Sequence, residues 1–298
     1  METMVANKQK GLKKVKSRTL TAETWRRLKK NKGALIGMGF IILLVALALA
    51  SSVIYDYNTD IIGQNISERF ERPNADHWFG TDQVGRDIFA RILYGARYSL
   101  AISAGSVAIG LVVGVILGSI AGFYGGVVDD ILMRVNDVLY AIPNIMIAVV
   151  IVSLLGSSTI NLLLALSISA MTNFSRIARA SVMTIRGQEY IESSYAMGLP
   201  TWKIIGKHII PNCLSPIIVQ ITLLIGTTII AASSLSFLGI GVPAPAPEWG
   251  AMLSEGREFM RSASYICVIP GLAIMATVLA FNLLGDGLRD ALDPKLKK

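Results

Sequence analysis

The sequence predicts an all-α integral membrane protein with six transmembrane helices and both termini cytoplasmic, and three observations predict it. The chain of 298 residues is 53% hydrophobic and 16% charged, where a soluble domain carries about 25% charged residues. Its charges sit in short blocks, and the stretches 98–128, 138–175, 209–247 and 264–285 hold none. Eleven of its Lys and Arg residues fall in the first 32 positions, directly before an apolar run. A basic block beside a span stays on the cytoplasmic side.

The net charge of +8 fits this topology better than nucleic-acid binding. The first apolar run, 33–55, is a full span in length and longer than a signal-peptide core. The order of elements follows. Residues 1–33 form a basic cytoplasmic segment, 34–54 the first span, and 55–96 an extracytoplasmic segment with a surface helix near 83–95. Residues 97–286 form a core of five further spans, and 287–298 a cytoplasmic tail ending in Lys295, Lys297 and Lys298.

Within the core, the second span covers about 98–123. Gly110, Gly114, Gly118 and Gly122, with Ser106 one step earlier, lie on one helix face. Small residues four apart let a second helix approach closely in lipid. A short loop with Asp129, Asp130, Arg134 and Asp137 leads to a third span, about 137–155, which Pro143 kinks. The fourth span covers 160–176, the fifth 209–236 and the sixth 265–285. The polar segment 176–208, with Arg176, Arg179, Arg186, Lys203 and Lys207, lies inside.

The absences are informative. Without ionisable groups in the later spans there is no proton relay and no charged filter. No phosphate-cradling G-x-x-x-x-G-K-[ST] loop occurs. Ser233, Ser234 and Ser236 lack a base, since the histidines are His77 and His208, and a serine nucleophile needs one within reach. Cys213 and Cys267 show no metal-ligand spacing and read as packing residues. No metal site is expected, and no catalytic residue.

The stretch EYIESSYAMGLPTWKIIGKHIIPN, 189–212, reads as two short helices. The first ends at Gly198, which takes a left-handed cap, and Pro200 opens the second. Ser193, Ser194 and Ala196 are small enough for close approach by a partner, and Glu192 offers it a charge. Glu192, Ser193, Ser194, Gly198 and Pro211 stand in the register of the E-A-A, three residues, G, nine residues, I-x-L-P pattern, and the chain thereby resembles the permeases of binding-protein-dependent ABC importers. It departs from that pattern with serines for the alanines, His208 for the isoleucine and Ile210 for the leucine. The segments 27–40, 77–100, 247–257 and 281–298 resemble the dipeptide, oligopeptide and nickel branch, in particular its second permease subunit.

The resemblance implies a type I importer permease fold and a coupling segment at about 188–208, seated on an ATPase subunit through Glu192, Ser193, Ser194, Ala196, Gly198 and Pro211. The implied partners are a second permease, two ATPases that bind ATP and Mg, an extracytoplasmic solute-binding protein and the lipid bilayer, with no cofactor on this chain and no nucleic acid. Short peptides are the expected solute, with nickel chelates and glutathione as alternatives. Gly80, Thr81, Asp82, Gly85, Arg86 and Asp87, together with Glu248 and Trp249, are expected to shape the extracytoplasmic surface. The same residues equally suit turns and caps within the chain. The competing readings are an ion-coupled carrier that transports alone and a scaffold subunit, for which no docking domain is visible.

Overall fold

Charge-poor segments of this length can satisfy their backbone polar groups in lipid only as helices, and helices are what they form. A computed structural model describes residues 20–292, with side chains from Glu23 onward. The first and last basic blocks, including Lys8 to Arg18 and Lys295 to Lys298, lie outside the described residues. Among the described residues there is no strand, only an isolated bridge between Thr81 and Asp87.

The helices in chain order are α1 (Leu20–Leu28), α2 (Lys32–Ile54), α3 (Ile88–Tyr124), α4 (Gly126–Ala141), α5 (Asn144–Leu155), α6 (Thr159–Arg186) and α7 (Glu189–Ala196). There follow α8, a helical run over Thr201–Phe237, then α9 (Trp249–Gly256) and α10 (Tyr265–Leu292). Five of them, α2, α3, α6, α8 and α10, are long and apolar enough to span a membrane. The pair α4–α5 brings the number to six if it counts as one span. In each of the five, 22% to 44% of the most apolar window is buried. Most of the apolar surface therefore faces outward, as a lipid solvent allows.

Two elements differ from the sequence expectation. The expected surface helix at 83–95 begins only at Ile88 and continues into the second span as one helix, α3, of 37 residues. At 1.5 Å per residue it is roughly 55 Å long, well beyond a hydrocarbon core of about 30 Å. The expected loop at 129–137 is helical, and the bend at Pro143 is a full break that divides α4 from α5 at 88°. Proline lacks the donor that would continue the helix, and it pushes the preceding residue out of the α region. Ile142 accordingly adopts φ −87°, ψ 130°, and Pro143 becomes the cap of α5.

The central contact is α3 on α6. A Cβ placed on Gly110, Gly114 or Gly118 would lie 2.4, 2.5 and 2.2 Å from Ala170 Cβ, Met171 O and Ser175 O. On Gly122 it would lie 2.8 Å from Arg179 O. The Ser106 hydroxyl donates to Leu163 O at 2.9 Å. The backbone carbonyls met along the stripe, at 163, 167, 171, 175 and 179, each lie 57 positions beyond their partner. A constant positive offset means that the two helices run parallel, in one register over four turns.

Candidate functional site: an exposed helix held on a buried core

α7 is eight residues long, too short to be stable alone, so tertiary packing holds it. Ile191 and Ser194 face inward and are buried. Ile191 joins a core of Phe123, Phe174, Val182, Ile185, Ile204 and Ile209, and its full burial contributes on the order of 2 kcal/mol. The Tyr195 ring stacks on Phe123 at 5.9 Å and 20°. The Ser193 and Ser194 hydroxyls donate back to Glu189 O and Tyr190 O, at 2.9 and 2.8 Å. Glu192, Ser193, Tyr195, Ala196 and Met197 face outward and are exposed.

The end of α7 is a complete Schellman cap. Gly198 N–H donates to Tyr195 O at 2.9 Å and Leu199 N–H to Ser194 O at 3.2 Å, satisfying carbonyls that the helix leaves open. Gly198 sits at φ +73° with open space around it, so its constraint is conformational rather than steric. Leu199 packs onto the same core, which closes the motif.

After Pro200, the start of α8 is wound loosely, with a π segment Ile204–Ile209 and a 3-10 turn Ile210–Cys213. Ile204, Ile209 and Cys213 point into the core. Pro211 is exposed in the 3-10 turn, and Asn212 Nδ2 ties that turn to His208 O at 2.6 Å and Tyr190 Oη at 3.3 Å. Beside this unit, α4 is clamped to α6. Arg179 donates to Asp129 through Nε and Nη2 at 2.5 and 2.6 Å, a fork that fits a carboxylate bidentately. Arg176 reaches Asp137 at 2.6 Å and lies 3.7 Å over the Tyr140 ring.

The residues expected at an external surface are placed otherwise. Thr81, Asp82, Arg86, Glu248 and Trp249 are buried. Burial is possible because Asp82 and Arg86 are ion-paired and the Glu248 carboxylate is hydrogen-bonded. Asp82 accepts from Arg86 Nε and Arg91 Nη1, both at 2.6 Å, and Glu255 accepts from Arg86 Nη2 at 2.5 Å and Arg91 Nη1 at 3.2 Å. Glu248 caps α9 through Ala251 N–H at 2.9 Å. It also accepts from the hydroxyls of Ser99 on α3 and Ser233 on α8, at 3.3 and 3.4 Å. Trp249 Nε1 donates to Ile92 O at 3.0 Å. Gly80 and Gly85 have positive φ, and a Cβ on Gly85 would lie 1.8 Å from Asn65 O.

These residues tie α3, α8 and α9 together, which is the cap-and-turn alternative. Asp87 caps α3 through Ala90 N–H at 2.7 Å and meets His77 Nδ1 at 2.8 Å. That hydrogen bond, with the nearby Glu68 and Glu71 carboxylates, raises His77 above the ordinary imidazole range against a smaller desolvation effect. Sequence reasoning missed Arg91 and Glu255. The spacing of Asp82, Arg86 and Arg91 was an available signal for the former.

Two observations thus define a class: a helical membrane bundle, and a short exposed helix packed on its core between the spans α6 and α8. This is the architecture of a transporter's membrane subunit. The model of the binding-protein-dependent transport system inner membrane component matches residues 114–298, and that of the N-terminal membrane domain of oligopeptide transport permease C matches residues 19–73. The chain is 46% identical to the dipeptide transport system permease protein DppC of Alkalihalophilus pseudofirmus, over 92% of this chain and 90% of that one. It is 45% identical to the glutathione transport system permease protein GsiD of Pectobacterium atrosepticum, over 94% and 93%. Among solved structures, it resembles an inward-facing MetNI methionine ABC transporter chain with a TM-score of 0.57 and 17% identity, over 68% of this chain and 96% of that one. The chain belongs to the binding-protein-dependent transport system inner membrane components. It is a multi-pass permease subunit of an ABC importer in the bacterial plasma membrane.

Proposed function

We propose that this chain forms half of the translocation pathway for short peptides and that α7 is the lever through which separate ATPase subunits drive it. The observation that carries the reading is the seating of α7: one face fixed in the core by Ile191, Ser194 and Leu199, the other exposed through Glu192, Ser193, Ala196 and Met197. A helix held in this way transmits displacement rather than absorbing it. ATP and Mg bind the ATPase subunits, and hydrolysis occurs there. Closure of the ATPase pair moves α7, and the spans alternate between inward and outward openings, a two-state change carried by a rigid element. A second permease supplies the other half of the pathway, and an external solute-binding protein delivers the cargo. Both termini and α7 lie on the cytoplasmic side, in keeping with the basic segments at that end.

Dipeptides and oligopeptides are the proposed cargo, supported by the likeness to a dipeptide permease over nearly the whole chain. Glutathione is a second reading, favoured by relatives of almost equal identity. The test is purification of the tagged chain from gently solubilised membranes, followed by uptake of a labelled dipeptide and of labelled glutathione in cells with and without its gene. Co-purification of a second permease and ATPase subunits, with gene-dependent dipeptide uptake, is the expected result. Gene-dependent uptake of glutathione alone selects the second reading. A chain that purifies alone and transports in response to an ion gradient overturns both.

A further inference from the structure

We infer that the junction of α1, α2 and α10 is a binding site for the phosphate headgroup of an anionic phospholipid, a discrete site rather than diffuse attraction to the bilayer. A recess of about 310 Å³ opens between the end of α1 and the last turns of α10, lined by Arg26, Arg27, Lys30, Asn31, Gly287 and Asp290. Its walls are set by packing. Leu28 is buried against Ala34 and Ala291, with Leu288 alongside, and a Cβ on Gly287 would lie 2.2 Å from Ala34 Cβ. The amphipathic helix is thereby pinned beside the start of a span instead of lying free.

The charge of the recess selects an anion. Arg27 is held by Glu23 at 2.7 Å, and Asp290 already accepts from Asn31 Nδ2 at 3.3 Å. Arg26 and Lys30 have no carboxylate within ion-pair distance among the described residues. Lys29 lies over the Trp25 ring at 5.2 Å.

The position selects a lipid over a soluble anion. α2 begins at Lys32 with 23 residues of high hydropathy, so the recess lies within a turn of the apolar core. Trp25, 46% exposed, is the residue type enriched at headgroup depth. Basic pockets between membrane helices on the cytoplasmic side hold anionic headgroups. This inference rests on α2 being a span, not on the cargo or on the coupling role of α7.

The test uses the complete transporter purified in neutral detergent. Native mass spectrometry measures apparent affinity for phosphatidylglycerol and for phosphatidylcholine of the same acyl chains. The expected result is a preference for phosphatidylglycerol that falls by about 30-fold in R26Q/K30Q, from roughly five-fold per cation, and is retained in R26K/K30R. If the double variant does not purify, Lys30→Gln alone is expected to lose about five-fold. Equal affinity for the two lipids overturns the inference, as does a preference untouched by the glutamines. Displacement by inorganic phosphate at similar affinity would assign the recess to a free anion. Loss of the ATPase subunits from R26Q/K30Q with lipid preference intact would assign it to a protein partner. Either outcome overturns the headgroup site.

Discussion

Replacing Gly118 by alanine adds one carbon atom at the tightest point of the α3–α6 contact. That atom would lie 2.2 Å from Ser175 O and 2.9 Å from Ala178 Cβ, where an ordinary carbon–oxygen contact is about 3.3 Å. Neither neighbour can swing away, since one is backbone and the other a Cβ, so the helices must separate locally by about 1 Å. Overpacking of this kind costs about 1–3 kcal/mol, and a backbone obstacle puts this case at the upper end. Alanine returns about 1 kcal/mol of helix propensity. The net expectation is a loss of about 2 kcal/mol, or about 30-fold in the folding equilibrium. Gly39 on α2 is the internal control: a Cβ there meets nothing within 4 Å, so Gly39→Ala is expected to be neutral or stabilising. The assay is thermal unfolding of the purified transporter in detergent, the two variants measured beside the parent. Should G118A melt no lower than G39A, the claim that the glycine stripe sets the helix separation is wrong.

Gly198→Val is expected to insert into the membrane but to lose most ATP-driven uptake, because a β-branched residue in the left-handed region costs about 1–2 kcal/mol and disturbs the α7 cap. Gly198→Asn, which tolerates that region, should keep a substantial part of the uptake, and equal uptake by both variants would argue against the cap. Arg91→Met removes a buried guanidinium and leaves Arg86 as the one cation against both Asp82 and Glu255, an imbalance worth on the order of 3 kcal/mol, readable as a drop in the yield of folded protein. The raised pKa of His77 stabilises the fold below the ordinary imidazole value of about 6.5, and this contribution disappears as pH rises through the higher folded value. His77→Phe should therefore flatten the dependence of melting temperature on pH between those two values, and an unchanged profile would count against the His77–Asp87 pair.

The glycine face of α3 was readable from spacing, because a period of four is local information. Which helix it meets was not, since the matching backbone lies 57 positions away and carries no pattern of its own beyond small residues. The turn at Gly198 was legible for the same local reason: a glycine followed by Leu-Pro punctuates a helix. Pro143 marked a disturbance, but whether it bends a helix or divides two depends on packing around α4, where Arg176 and Arg179 hold Asp137 and Asp129. The charges at Asp82 and Arg86 were read either as surface or as part of turns and caps, since charged residues are mostly exposed, and Arg91 was not singled out. What permits their burial is Glu255, well over a hundred residues further along, and composition says nothing of that pairing.

The single register shared by α3 and α6 also restricts how the bundle can move. Sliding one helix along the other by one residue would take every glycine away from the carbonyl it faces. It would bring Leu111, Val115 and their neighbours onto a backbone surface that has no room for a methyl group. The pair therefore behaves like a rack whose teeth are engaged along its whole length: it can be tilted or carried, but not run. Rearrangement of the bundle therefore falls to the contacts that α2, α4, α5 and α8 make with this block, and α7, packed on the core at the end of α6, stays with the block as a handle stays with a door.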